Sequence, residues 1–194
     1  MSQPALLPYD PLSILTAAAI FPLLPAPSHI TSKMASGVKV ADDVKVIINE
    51  MKVVKSDADQ MERIRLVTFY INDGYINIEQ TYRQKDIDNE EDIFKFFLSK
   101  MDPRQCRYML YDCHFETKES IKKEELVFVL WAPEEAIVKD KMNYASSKQY
   151  LKKVMTGIKH ELQINDIADF KDRDNFAEKM GKGIIKLEGH PVKS

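Results

Sequence analysis

Apolar positions along the chain change period several times, and each change marks an element. Val44, Ile47, Ile48 and Met51 recur at steps of three, one and three, the stripe of a short helix that Asp42 or Asp43 opens. Ile64–Ile71 is rich in β-branched and aromatic residues. The turn residues Asn72, Asp73 and Gly74 join it to the alternating stretch Tyr75–Glu79, which predicts a hairpin. From Glu90 to Met101 the apolar residues Ile93, Phe94, Phe97, Leu98 and Met101 return to helical spacing, with Asn89 as the expected cap and Pro103 as the stop.

Cys106–Phe115 reads as a strand, and Glu125–Trp131 as another. In the second, Leu126, Phe128 and Leu130 fill one face while Val127, Val129 and Trp131 fill the other, so both faces are expected to be buried. Asp140 to about Met155 holds neither Gly nor Pro, and Leu151, Val154 and Ile158 keep helical spacing, which predicts a long helix ended by Gly157. Ile158–Ile164 is a further strand. Asp172 caps a helix with Phe176, Ala177 and Met180 on one side, and a glycine break leads to Ile184–Leu187. A sheet buried on both faces needs helices on each, so the fold class is α/β (α+β) with a mixed sheet.

Composition changes this picture at one point. Across 194 residues, 28 basic and 30 acidic side chains nearly cancel, so there is no global basic field for nucleic acid. Yet Asp10 and Lys33 are the only charged residues in positions 1–33. The chain therefore divides into a Pro-rich hydrophobic extension, 1–33, and a globular domain, 34–194. The run Leu12–Leu24 has the length of a signal-peptide core, but no Lys or Arg precedes it and Pro22 interrupts it. It is also shorter than the roughly 20 apolar residues a membrane span needs. The extension reads as a disordered tail, with no transmembrane segment. Two cysteines make no disulfide framework, and an odd spacing sets Cys106 and Cys113 on opposite faces of their strand. A reducing cytoplasmic compartment fits this usage.

Catalytic chemistry finds no foothold. There is no Gly-rich phosphate loop, no zinc helix, no Cys-x-x-Cys pair and no nucleophile elbow, so the expectation is a non-enzyme with no cofactor and no metal. His29, His114, His160 and His190 share no ligand spacing, and His114 is expected to be structural. What stands out is Lys139–Lys153, where basic residues surround Met142. Lys141, Lys148 and Lys152 fall on one helical stripe, expected opposite the apolar one. A flexible thioether flanked by lysines suits a protein partner with an apolar hollow in an acidic surface.

Met34–Val38, Cys106–Asp112, Phe115–Ser120, Glu125–Phe128, Trp131–Glu134, Lys141–Lys148 and Thr156–Gln163, in that order and spacing, resemble the actin-depolymerising factor/cofilin family, vertebrate type. The resemblance runs from Met34 to about Pro191. It implies a single domain with a central five- or six-stranded mixed sheet and helices on both faces. It also implies a protein that binds monomeric and filamentous actin, preferentially the ADP form, and severs and depolymerises filaments. Carried over by motif, the monomer face uses Ser36, Gly37, Lys139, Lys141, Met142 and Lys148. The filament face uses Lys122 and Lys123 before the Glu125 strand, with Glu178, Lys179 and Lys182 at the last helix.

The same resemblance makes Ser36 the inhibitory phosphorylation site, with LIM-domain kinases and a phosphatase as partners, and His160 with Glu125 a pH-sensing pair. It makes Lys152, Lys153 and Lys159 a phosphoinositide site, and it implies a cytoplasmic location at the actin-rich cortex. A monomer-sequestering or phosphoinositide-binding module without severing is the alternative reading. The chain departs from the family pattern where Ala58–Arg65 stands in place of a Lys/Arg run, which makes nuclear entry doubtful, and where Gln149 replaces an acid. The resemblance places Ser36 near a free chain end, so the 33-residue extension ahead of it is expected to weaken actin binding or kinase recognition if translation begins at Met1.

Overall fold

A computed structural model describes residues 37–53, 59–170 and 172–193. The extension 1–33 and Ser36 lie outside the described residues, as does Ala58. The elements run β1 (Lys39–Val40), α1 (Asp42–Lys52), β2 (Ile64–Asn72), β3 (Tyr75–Arg83), α2 (Gln84–Ile87), α3 (Ile93–Ser99), β4 (Arg107–Thr117), β5 (Lys122–Trp131), α4 (Val138–Val154), β6 (His160–Ile164), α5 (Arg173–Met180), β7 (Ile184–Leu187) and β8 (His190–Pro191). One mixed sheet takes the order β1-β3-β2-β4-β5-β6, with β1–β3 and β5–β6 parallel. This path has six strands, where the resemblance implied five or six. β7 and β8 extend it alongside the far end of β4.

Period-two alternation in the central strands builds two cores. Cys106, Tyr108 and Leu110 of the β4 region join Phe128 and Leu130 on one face, under Val44, Ile48 and Met51 of α1 and Tyr144 and Leu151 of α4. Met109, Tyr111, Cys113 and Phe115 join Val127, Val129 and Trp131 on the other, under Phe94 and Phe97 of α3 and Phe176, Ala177 and Met180 of α5. Each fully buried side chain of this size contributes about 1.5–3 kcal/mol. The β5 reading is therefore borne out on both faces, and the two free cysteines belong to opposite cores.

The β2–β3 hairpin forms as expected, with Asp73 and Gly74 at φ +50° and +75°, the pair of left-handed residues that a tight two-residue turn requires. Helix starts differ from the sequence reading. Ala41 rather than an aspartate precedes α1, and Asp42 and Asp43 sit in its first turn, where their charge suits the helix dipole. α3 begins three residues later than the Asn89 cap requires. Asp92 accepts the Lys95 N–H, while the Glu90 N–H turns back to the Ile87 carbonyl at the end of α2.

Candidate functional site

Tyr144 fixes the first half of α4 to the sheet. The Tyr144 ring is buried 5.0 Å from Tyr108, its hydroxyl accepts the Ile71 N–H at 3.0 Å, and its carbonyl accepts the Tyr108 hydroxyl at 2.5 Å. Ser147 and Leu151 continue the inward stripe. This sets which side chains face water. Met142 is 61% exposed, and Ile137 and Val138, at 62% and 67%, stand beside it. An exposed apolar ridge thus runs along the start of α4, with exposed Lys139 next to it. Lys141 is half-buried, its ammonium donating to the Glu134 carbonyl at 3.0 Å. Sequence reasoning found Met142 but missed Ile137 and Val138, which precede the expected helix start at Asp140; two adjacent apolar residues outside any core period were the available signal.

The expected lysine stripe opposite the apolar one is not what forms. Lys148 and Lys152 flank the buried stripe, and both reach Glu161 of β6, at 2.9 and 2.6 Å. A helical wheel gives the angle of a stripe but not where the neighbouring strand lies, and here β6 lies beside it. Lys148 is consequently a tether between α4 and the sheet edge, its side chain 25% exposed. Gly37, at φ +68°, leads into buried Val38, and the Lys39 N–H donates to the Gly74 carbonyl. A groove of about 530 Å³ separates this stretch from Tyr150 and Val154 in the second half of α4. Met142 and Tyr150 are eight residues apart, or about 12 Å of helix rise. One helix therefore joins the Met142 ridge to the region of Gly37.

The second group of predicted residues gathers elsewhere. Lys122 and Lys123 are exposed, but they open β5 rather than precede it. Glu178 and Lys179 face solvent on α5. Lys182 follows in a turn whose neighbour Gly183 accepts the Lys118 N–H at 2.9 Å, which brings it against the β4–β5 hairpin.

The two regulatory clusters are interlocked. His160 Nε2 lies 2.5 Å from Glu125 Oε2, and Lys159 reaches the other oxygen at 3.1 Å. Burial alone pushes the Glu125 carboxyl up, but hydrogen bonds from His160 and Lys159 outweigh it and hold the group below the usual carboxylate range. Lys152 and Lys148 do the same to Glu161. Of the three phosphoinositide candidates, Lys152 and Lys159 are thus engaged by carboxylates, and Lys153 lies 5.6 Å over the Tyr150 ring. His114 sits half-buried, 3.4 Å from Asp112. Arg63 and Arg65, the split arginines of the Ala58–Arg65 segment, are both drawn into ion pairs with Asp112. Among the described residues no helix is long and apolar enough to cross a membrane.

Comparison with known proteins gives a family. The model for cofilin/tropomyosin-type actin-binding proteins matches residues 37–181. The crystal structure of Streptomyces griseoflavus cofilin is similar at 29% identity and TM-score 0.59, over 73% of this chain and 98% of that one. Plasmodium berghei actin depolymerization factor 2 is similar at 25% identity and TM-score 0.61, over 76% and 96%. The solution structure of the ADF-like UNC-60A protein of Caenorhabditis elegans shares the fold, at 22% identity and TM-score 0.62 over 77% and 97%.

Proposed function

The chain belongs to the actin-depolymerising factor/cofilin family of actin-binding proteins, and from that premise we propose that it binds actin monomers and filaments and severs the latter. The observation that carries this reading is the ridge of Ile137, Val138 and Met142 on a helix start pinned by Tyr144, with Lys139 beside it. Apolar side chains kept out of the core offer desolvation energy to a partner, and the flanking lysines steer toward an acidic surface. Gly37, Lys141 and Lys148 complete this monomer face, with Lys148 acting through its tether to Glu161. Lys122, Lys123, Glu178, Lys179 and Lys182 form a second face for the adjacent filament subunit. Binding two subunits at once biases filament twist by differential contact energy, and no covalent chemistry is needed.

Regulation follows from charge. Phosphorylation of Ser36 by a LIM-domain kinase adds about −1.5 to −2 charge beside the monomer face and repels an acidic partner, and a phosphatase reverses it. Phosphoinositide headgroups compete with actin by drawing Lys152, Lys153 and Lys159 away from Glu161, Tyr150 and Glu125. The protein acts in the actin-rich cytoplasmic cortex. Nuclear entry is not part of this reading: Arg63 and Arg65, split by Ile64, stand in place of a Lys/Arg run and are both engaged in ion pairs.

The test is co-sedimentation of the full chain with filaments and a count of filament ends by seeded elongation of fluorescent actin. Pelleting with new ends is the expected result, and Met142→Asp abolishes both. Binding of monomer without new ends moves the reading to a sequestering module. That alternative draws support from the separation of the two faces, since the α4 face alone suffices for a monomer.

A further inference from the structure

Glu188 holds an unusual backbone. It and Gly189 form the two-residue turn between β7 and β8, with φ of +48° and +78°. Gly is at ease there, whereas a residue with a Cβ is not. The Glu188 side chain nevertheless lies inside the protein, 3% exposed, against Arg65 at 2%. Its carboxylate accepts two bonds from Arg65 Nη2, at 2.9 and 2.8 Å, one from the Tyr111 hydroxyl at 2.5 Å and one from the His114 N–H at 3.0 Å. Its own N–H donates to the His114 carbonyl at 2.8 Å. Arg65 also reaches the Asp112 carbonyl and Gln84, and Asp112 takes Arg63 at 2.6 Å. Two guanidinium groups thus face two carboxylates, Asp112 and Glu188, and Glu124 meets Arg63 at the rim.

The register of the sheet shows what this charge-balanced clamp holds. β2 pairs with β4 only over Tyr108–Tyr111. Beyond that point the β4–β5 hairpin is a two-stranded ribbon, which is marginal on its own. β7 restores a third strand, at Phe115–Thr117, beside the end that carries Lys122 and Lys123. β7 is only four residues long, and the Glu188 turn ties it back to β2 and β4. We propose that Glu188 is a positioning residue: by anchoring β7 it rigidifies the end of the β4–β5 ribbon and so sets the geometry of the Lys122/Lys123 face. This rests on the functional reading above only in naming filaments as what that face meets.

A single substitution strands the other charge and risks unfolding, so the test removes both. Arg65→Met with Glu188→Gln keeps an acceptor for Tyr111 and His114 and discards the ion pair. In the full chain, this double variant is expected to fold and to keep monomer affinity within about twofold, while filament affinity falls about tenfold. Amide hydrogen exchange at Phe115–Thr117 and Lys122–Glu124 is expected to rise about tenfold, against no change in α4. Unchanged exchange in a folded double variant overturns the clamp. Faster exchange with unaltered filament affinity overturns the positioning role. If the unmodified chain ignores filaments, the functional reading fails, and exchange alone still decides whether Glu188 anchors the ribbon.

Discussion

The two surfaces that gather the charged and apolar candidates are held in different ways. The α4 surface rides on one continuous helix whose inner stripe of Tyr144, Ser147 and Leu151 is sunk in an apolar core. The β4–β5 surface is assembled from a ribbon end, a turn and a short helix, and a buried set of ion pairs lies beneath it. Apolar anchoring has no charge to balance, so the start of α4, away from the Lys148 and Lys152 pairs with Glu161, tolerates charge changes on its outer side. An ionic anchor is only as good as its pairing, because losing one member leaves the other desolvated.

Glu188→Ala tests this contrast most severely. It leaves the buried Arg65 guanidinium with only the more distant Asp112 carboxylate, at 3.8 Å, and is expected to cost about 3–5 kcal/mol, read as a drop in urea midpoint. A loss under about 1 kcal/mol means water reaches Arg65 and the contrast is broken. On the other side, Tyr144→Phe keeps the ring in its core and removes the hydroxyl, which accepts the Ile71 N–H and also meets Arg107. The expected cost is about 1–2 kcal/mol, with monomer affinity reduced because the start of α4 loosens.

The Glu125–His160 pair gives a smaller, pH-dependent effect. Its carboxyl titrates lower in the fold than in the unfolded chain. The pair therefore contributes stability above the unfolded carboxylate value, and that contribution fades as pH falls through the folded one. Urea midpoints measured downward from about pH 6 to about pH 3 are expected to decline less steeply in Glu125→Gln, the unfolded reference lying near 4.3. Identical slopes mean the pair carries no linkage. Smallest of all, Lys45→Ala breaks the solvent-exposed pair with Asp42 and is expected to change stability by less than about 0.5 kcal/mol.

Much of this architecture was legible from periodicity. The two-sided burial of Val127–Trp131, the Asp73–Gly74 hairpin and the inward faces of α1 and α5 follow from local spacing, because each is decided within a few residues. The start of α3 was not, since Asn89 belongs to the turn that ends α2 and Asp92 caps the helix instead. Lys148 and Lys152 read as a solvated stripe until β6 brings Glu161 beside them, a tertiary fact. Arg65 and Glu188 are 123 positions apart, and neither a buried arginine nor a left-handed glutamate has a pattern that announces it. Among the residues implied by motif resemblance, the chain brings His160 to Glu125 and Lys182 to the β4–β5 hairpin, while Ser36 lies outside the described residues.

The central claim is that the outer side of the α4 start grips an acidic partner. Lys139→Glu with Lys141→Glu tests it most directly, in co-sedimentation of the full chain with actin filaments at several protein concentrations. The expected result is at least about a tenfold loss of affinity with an unchanged urea midpoint, since both ammonium groups lie outside the core and like charges repel across the interface. Wild-type pelleting by a folded double reversal contradicts the account and removes α4 from the contact.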